Sequence, residues 1–317
     1  MINTEFIIHL EFIMIRIVDS HREQAMSDRL RNPLIWLLIA VFALFNTLKP
    51  AMPGTFWMKL LPAVSILSML GFVLLHGPRQ IGWRNVAVFF VIASVVSWCY
   101  ESLSIATGFP FGHYHYTDKM GPKLGTVPLL IMPAYYAVCY VSWHLGLVML
   151  DRFEQRGDAV QTWLVPVLAA FIMVMWDMSM DPARSTLSES WIWRDGGGYF
   201  GVPLVNFLGW FLTVWTIFQL YAFYARDTDR AAGVLGTPAD CRQHWMQMAA
   251  LYAALFLEFL SFAAFPPAGT VTDKSGFTWN IKDMYETLGL VALYSMVFVG
   301  LLSTIKIALA ARLGARS

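Results

Sequence analysis

The sequence predicts an all-α protein, a polytopic bundle of about eight membrane-spanning helices. Three observations carry that prediction. Hydrophobic residues make up 57% of the chain and charged residues only 14%, against about 25% charged in an ordinary soluble domain. Apolar runs of spanning length recur along all 317 residues, and a span needs about 20 predominantly apolar residues. Aromatic residues reach 15%, with 13 Trp among them, and Trp and Tyr favour the two membrane interfaces.

In chain order, residues 1–31 read as an N-terminal extension. Its run from Phe6 to Val18 is apolar but short, and His9, Glu11 and Arg16 interrupt it. It has no small-residue cleavage site of the A-x-A kind. The segment therefore reads as an interfacial helix, or as a leader ahead of the native start, with Met26 as the alternative start. Residues 32–317 read as a single transmembrane domain. Expected spans are 33–49, 57–76, 84–106, 128–150, 161–181, 202–225, 245–265 and 285–310. The third carries Glu101 near its end, and the fifth closes on Asp177 and Asp181 just before Pro182. Pro203 suits the first turn of the sixth, and Glu258 lies late in the seventh.

Lys and Arg in the loops set the orientation of a membrane chain. Alternate loops hold 14 on the side of the N-terminus and 8 on the other, so both termini are expected in the cytoplasm of a prokaryotic inner membrane. The loops 107–127, 182–201 and 266–284 then share the non-cytoplasmic side. A net charge of +1 gives no reason to expect a nucleic-acid partner. Cys99, Cys139 and Cys241 form neither a metal-like cluster nor a disulfide framework.

A charged side chain inside a span costs about 2.5–3.5 kcal/mol on insertion scales, so each one asks for a reason. Glu101, Asp177, Asp181 and Glu258 all approach the same membrane face, and Asn206 joins them one turn into the sixth span. Asp177 and Asp181 are four apart and share a helix face. Two carboxyls so placed repel when both are ionised and tend to keep a proton, as a general acid must. A competing structural reading has Asp181 ending the helix and pairing with Arg184.

The segment 108–124, GFPFGHYHYTDKMGPKL, opens on glycines and prolines and so is expected to be non-helical. In an extended segment His113 and His115 point one way and Tyr114 and Tyr116 the other. Either the imidazoles or the phenols line a site. A His-x-His pair with carboxylates nearby suits a divalent metal, but the remaining histidines (His9, His21, His76, His144 and His244) are scattered along the chain. No metal is expected. The spacing of Asp177 and Asp181 also resembles membrane prenyltransferases, yet a second acidic motif is missing and basic residues to clamp a diphosphate are sparse.

Three segments, GFPFGHYHYTDKMGPKLGTVPLLIMPAYY, WDMSMDPAR and WIWRDGGGYFGVPLVNFLGWF, together resemble the membrane carotenoid-biosynthesis proteins. The characterised members of that family include carotenoid 1,2-hydratases. The resemblance covers about residues 33–310. It implies addition of water to the terminal C=C of an acyclic carotenoid end group, giving a tertiary alcohol without a redox cofactor. It also implies membrane lipid as the surroundings and other carotenoid-pathway enzymes as possible associates. On this reading Asp177 and Asp181 supply the acid, Glu101 or His115 orients the water, and His113 is a further catalytic candidate. Tyr114, Tyr116, Trp176, Trp193, Asn206 and Glu258 contact the substrate. The alternatives are another isoprenoid-modifying enzyme, a prenyltransferase or cyclase, and a carotenoid- or lipid-binding or transport protein.

Overall fold

The computed structural model describes residues 30–52, 56–153, 157–228 and 238–314. The N-terminal run 6–18 and Met26 lie outside the described residues. Helices dominate: α1 (Leu30–Ala51), α2 (Phe56–Gln80), α3 (Gly82–Thr107), α4 (Ile131–Met149), α5 (Ala159–Pro182), α6 (Leu204–Thr228), α7 (Pro238–Ala264), α8 (Ile281–Ala292) and α9 (Phe298–Gly314). A π-helical turn, Leu293–Val297, joins α8 to α9, so the two form one continuous span, Ile281–Arg312. Among the described residues, seven helices are long and apolar enough to cross a membrane. The expected span at 57–76 falls within α2. The chain is an integral membrane protein of the all-α polytopic kind.

Local chemistry explains several of the helix ends. The Asp158 side chain accepts from Gln161 N at 2.9 Å and caps α5, and Asn280 accepts from Lys282 N at 2.9 Å to cap α8. Gly108 ends α3 at φ 84° with its N–H on Ser104 O, the left-handed backbone that glycine adopts without penalty. The fifth span extends beyond the expected 181. Past Pro182 it continues as a π-helical turn, Ala183–Leu187.

The core sits on α4. It is the most buried of the seven candidate spans. A helix that is apolar or aromatic all round belongs in the interior, and Tyr135, Tyr136, Tyr140 and Trp143 are all buried. Other spans turn large side chains outward, including Leu37, Leu44, Val91, Val95, Phe171 and Leu208, as a lipid-facing surface requires. Short antiparallel ladders cover one end of the bundle. β1 (Tyr114–Tyr116) pairs with β4 (Trp191–Trp193), β2 (Lys123–Leu124) with β3 (Val127–Pro128), and β5 (Thr270–Thr272) with β6 (Thr278–Asn280).

At the opposite end, three histidines far apart in sequence converge. His76 and His244 stack at 3.4 Å between ring centroids, and His144 lies edge-on to His76 at 6.4 Å. His76 Nδ1 is 2.8 Å from the Tyr140 hydroxyl. Their scatter along the chain therefore misleads about their positions in the fold. Among the described residues no group of three His, Cys, Asp or Glu side chains is arranged to hold a metal.

Candidate active site

Beneath the ladders, α3 and α5 bring three acids into the bundle, and α6 brings an amide beside them. Glu101, Asp177 and Asp181 are all buried, and Asn206 is buried beside them. Asp177 and Asp181 lie one turn apart on α5, as their spacing requires. Asn206, in the first turns of α6, bridges them with one amide nitrogen: Nδ2 donates to Asp181 Oδ2 at 2.7 Å and to Asp177 Oδ2 at 3.3 Å. The other oxygens, Asp177 Oδ1 and Asn206 Oδ1, are buried without a hydrogen-bond partner. Asp181 does not pair with Arg184. Its Oδ1 instead accepts from Trp191 Nε1 at 3.1 Å and Trp193 Nε1 at 3.2 Å.

Glu101 is held by phenols. Tyr116 donates to Oε2 and Tyr135 to Oε1, each at 2.8 Å, and Tyr114 also donates to Oε2. Burial first, and then the Glu101 carboxylate, hold the Tyr114 and Tyr116 hydroxyls well above the usual tyrosine range. Both phenols therefore stay protonated and serve as donors. Tyr116 is near enough to Asp181 to feel its charge as well.

The β1–β4 ladder explains how one short loop reaches both acids. Alternation along β1 sends Tyr114 and Tyr116 inward, and both are buried while His113 and His115 are exposed. Across the ladder Tyr114 faces Trp193 and Tyr116 faces Trp191, with ring centroids 4.9 Å and 6.0 Å apart. Cross-strand partners on one face stabilise each other. Here the β1 side chains of that face bind Glu101 and the β4 side chains bind Asp181. The phenols face the buried acids and the imidazoles do not. His113 packs over Gly108.

Three aromatics, Tyr135, Trp176 and Trp210, complete the wall. Tyr135 stacks on Trp210 at 4.6 Å with the planes within 1°, and Trp176 meets Trp210 edge-on at 6.2 Å. Close approach of α6 makes this possible. A Cβ on Gly209 would run into the Pro110 carbonyl and the Phe111 ring, so only glycine lets the helix lie against the loop. Tyr135 and Trp210 carry no charge, and sequence reasoning missed them as site residues. Their signal was position alone, within the stretches IMPAYY and NFLGWF.

Glu258 stands apart from this wall. It pairs with Lys49 and with Arg184 Nη2, the latter at 2.6 Å. The three side chains tie the end of α1 and the turn after α5 to α7. The expectation that Glu258 contacts substrate gives way to an ion cluster that satisfies its charge internally.

Comparison with known proteins bears on the same residues. The family model described as carotenoid biosynthesis protein matches residues 56–268, a stretch that holds Glu101, the β1–β4 ladder, Asp177, Asp181, Asn206 and Trp210. Bisanhydrobacterioruberin hydratase of Haloarcula japonica is 27% identical over 159 residues, 50% of this chain and 50% of that protein. The chain thus spans about half the length of the curated relative it matches. No solved structure matches it. With two thirds of its length matched by the family model, and with every residue of the aromatic-and-acid cluster inside the match, the chain belongs to the carotenoid biosynthesis protein family.

Proposed function

We propose that this protein is a carotenoid hydratase. It adds water to the terminal C=C of an acyclic carotenoid end group by acid–base catalysis. The observation that carries the proposal is the division of labour among the buried acids. Glu101 accepts three phenol hydrogen bonds, whereas Asp177 keeps one oxygen without a partner. The relative from Haloarcula japonica is named for hydration of a carotenoid, which supports the same chemistry here.

Hydration of a trisubstituted alkene needs a proton on one carbon and water on the other. In the proposed reaction the Asp177/Asp181 pair gives its proton to the less substituted alkene carbon, leaving a tertiary carbocation. Water adds to that cation, and Glu101 accepts the proton the water loses. The product is a tertiary alcohol. Regeneration moves one proton from Glu101 back to the aspartate pair, and Tyr116 lies close to both. No electron leaves or enters, so the reaction itself needs no redox partner. Aromatic faces stabilise a cation by about 0.5–2 kcal/mol each, a role that suits Tyr135, Trp210 and Trp176. The substrate is as apolar as the bilayer. Leu204 and Leu208 on α6 are exposed, an apolar surface suited to a pigment that arrives from lipid.

The test is expression in a host that makes an acyclic carotenoid, with growth in 18O-labelled water and mass analysis of the pigment. Product one water heavier, with its oxygen from water, is expected from the wild type. Asp177→Asn and Glu101→Gln are expected to abolish it. Full product from both variants rules out this assignment, and pigment that is bound but never altered favours a carotenoid-binding protein.

A further inference from the structure

Hydration poses a supply problem. The carotenoid can arrive through lipid, but water cannot wait there, and Asp177, Asp181 and Glu101 are 0%, 1% and 3% exposed. A route from solvent must end at these acids. A polar pocket at the ladder end of the bundle has the right floor. It opens to solvent, holds about 30 Å3 of space that water can occupy, and its walls include Ser185, Thr186, Trp193, Thr272, Asp273 and Lys274. A water needs roughly 10–15 Å3 of such space, so the pocket holds about two. Two of its residues touch Asp181 directly. Trp193 Nε1 donates to the Asp181 carboxylate at 3.2 Å, and the Ser185 hydroxyl donates to the Asp181 backbone carbonyl at 2.8 Å.

The walls are built rather than incidental. The π-helical turn after Pro182 supplies Ser185 and Thr186, and the Thr186 hydroxyl is fixed on Phe200 O at 2.5 Å. The β5–β6 hairpin forms the outer wall. Asp273 Oδ1 accepts from Ser275 N and Phe277 N within that turn, at 2.9 and 3.1 Å, and Trp279 Nε1 donates to Asp273 Oδ2 at 2.8 Å. Ser275 docks the turn on Asp195 O at 3.0 Å. Gly196 and Gly201, both at positive φ, leave the space in which Ser275 and Asp273 sit. The hairpin is thus held over the π-helical turn with a polar gap between them.

We infer that this pocket is the water port of the enzyme, admitting the second reactant past Ser185 and the Trp193 indole toward the buried acids while the carotenoid enters from the lipid side. The inference rests on the hydratase reading. It separates the routes of the two substrates by polarity, with solvent water from the ladder end and pigment from between the helices.

Plugging the port reversibly tests it. Thr186→Cys and Thr272→Cys are made in the full chain and treated, in open membrane fragments loaded with acyclic carotenoid, with a bulky quaternary-ammonium methanethiosulfonate. Wild type and Asp227→Cys, exposed at the far end of α6 and away from the pocket, receive the same reagent. Labelled Thr186→Cys and Thr272→Cys are expected to form hydrated pigment at least tenfold more slowly, with bound pigment unchanged and the rate restored by reduction. Labelled Asp227→Cys and wild type are expected to keep their rates. Complete labelling at both pocket positions with less than a twofold fall overturns the port. Release of pigment on labelling also overturns it, because the pocket is then part of the carotenoid site. Absence of hydrated product from the untreated wild type overturns the hydratase reading, and the port falls with it.

Discussion

Asp177 is the residue on which the proposed chemistry turns. It is wholly buried, takes one long hydrogen bond from Asn206 and leaves Oδ1 unengaged. A positioned general acid contributes about 10²–10⁴-fold, so Asp177→Asn is expected to lower product formation by at least about 100-fold while pigment still binds. Co-purified carotenoid and the turnover rate separate the two effects. Tyr135→Phe is a milder probe. It removes one of the donors to Glu101 and keeps the ring stacked on Trp210. Loss of one hydrogen bond costs about 1 kcal/mol, so a several-fold fall in rate is expected, well short of Glu101→Gln. The acids were legible from sequence because ionisable groups are expensive in apolar runs. Tyr135 and Trp210 were not, because an aromatic residue in an apolar helix looks like packing until its hydroxyl or ring is seen to meet a buried acid. His113 and His115 mark a different limit. Alternation divided imidazoles from phenols, but only pairing with β4 decided which face turned inward.

At the scale of elements, the β1–β4 ladder and the Glu258 ion cluster do different work. The ladder joins two acids on separate helices, and its outer face is dispensable to that task. His115→Ala is therefore expected to leave hydration within about twofold of wild type, whereas Tyr116→Phe, on the inner face, lowers it. The ion cluster holds helices together. Removing one partner of a buried pair typically costs about 3–5 kcal/mol, because the remaining charge is stranded. With Lys49 and Arg184 both on Glu258, Glu258→Gln is expected to lower the thermal midpoint in detergent while activity per folded molecule is kept. Equal melting of variant and wild type contradicts this account. The cluster was invisible in sequence, since its members are separated by 209 and 74 positions. No local pattern links them.

For the whole molecule, the apolar runs made the helical bundle legible, but not the order of its interior. Run length identifies a span and says little about which span is central. The central one, α4, carries tyrosine, tryptophan and histidine where other spans carry leucine, so its apolar run does not single it out. Loop charge adds a direction, with 14 Lys and Arg against 8. We propose on that basis that the ladder end, with its acids and its water port, faces away from the cytoplasm. The positive-inside rule works through short loops, and the loops here are short enough for it to act. Single cysteines at Lys119, at the ladder end, and at Asp227, near the far end of α6, test the orientation. Both positions are exposed. With wild type as the blank for Cys99, Cys139 and Cys241, an impermeant maleimide added to intact spheroplasts is expected to label Lys119→Cys and to spare Asp227→Cys until the membrane is opened. The reverse pattern places the acids on the cytoplasmic side. The same internal chemistry then draws its water from the cytoplasm, and the hydroxylated end group emerges at that face.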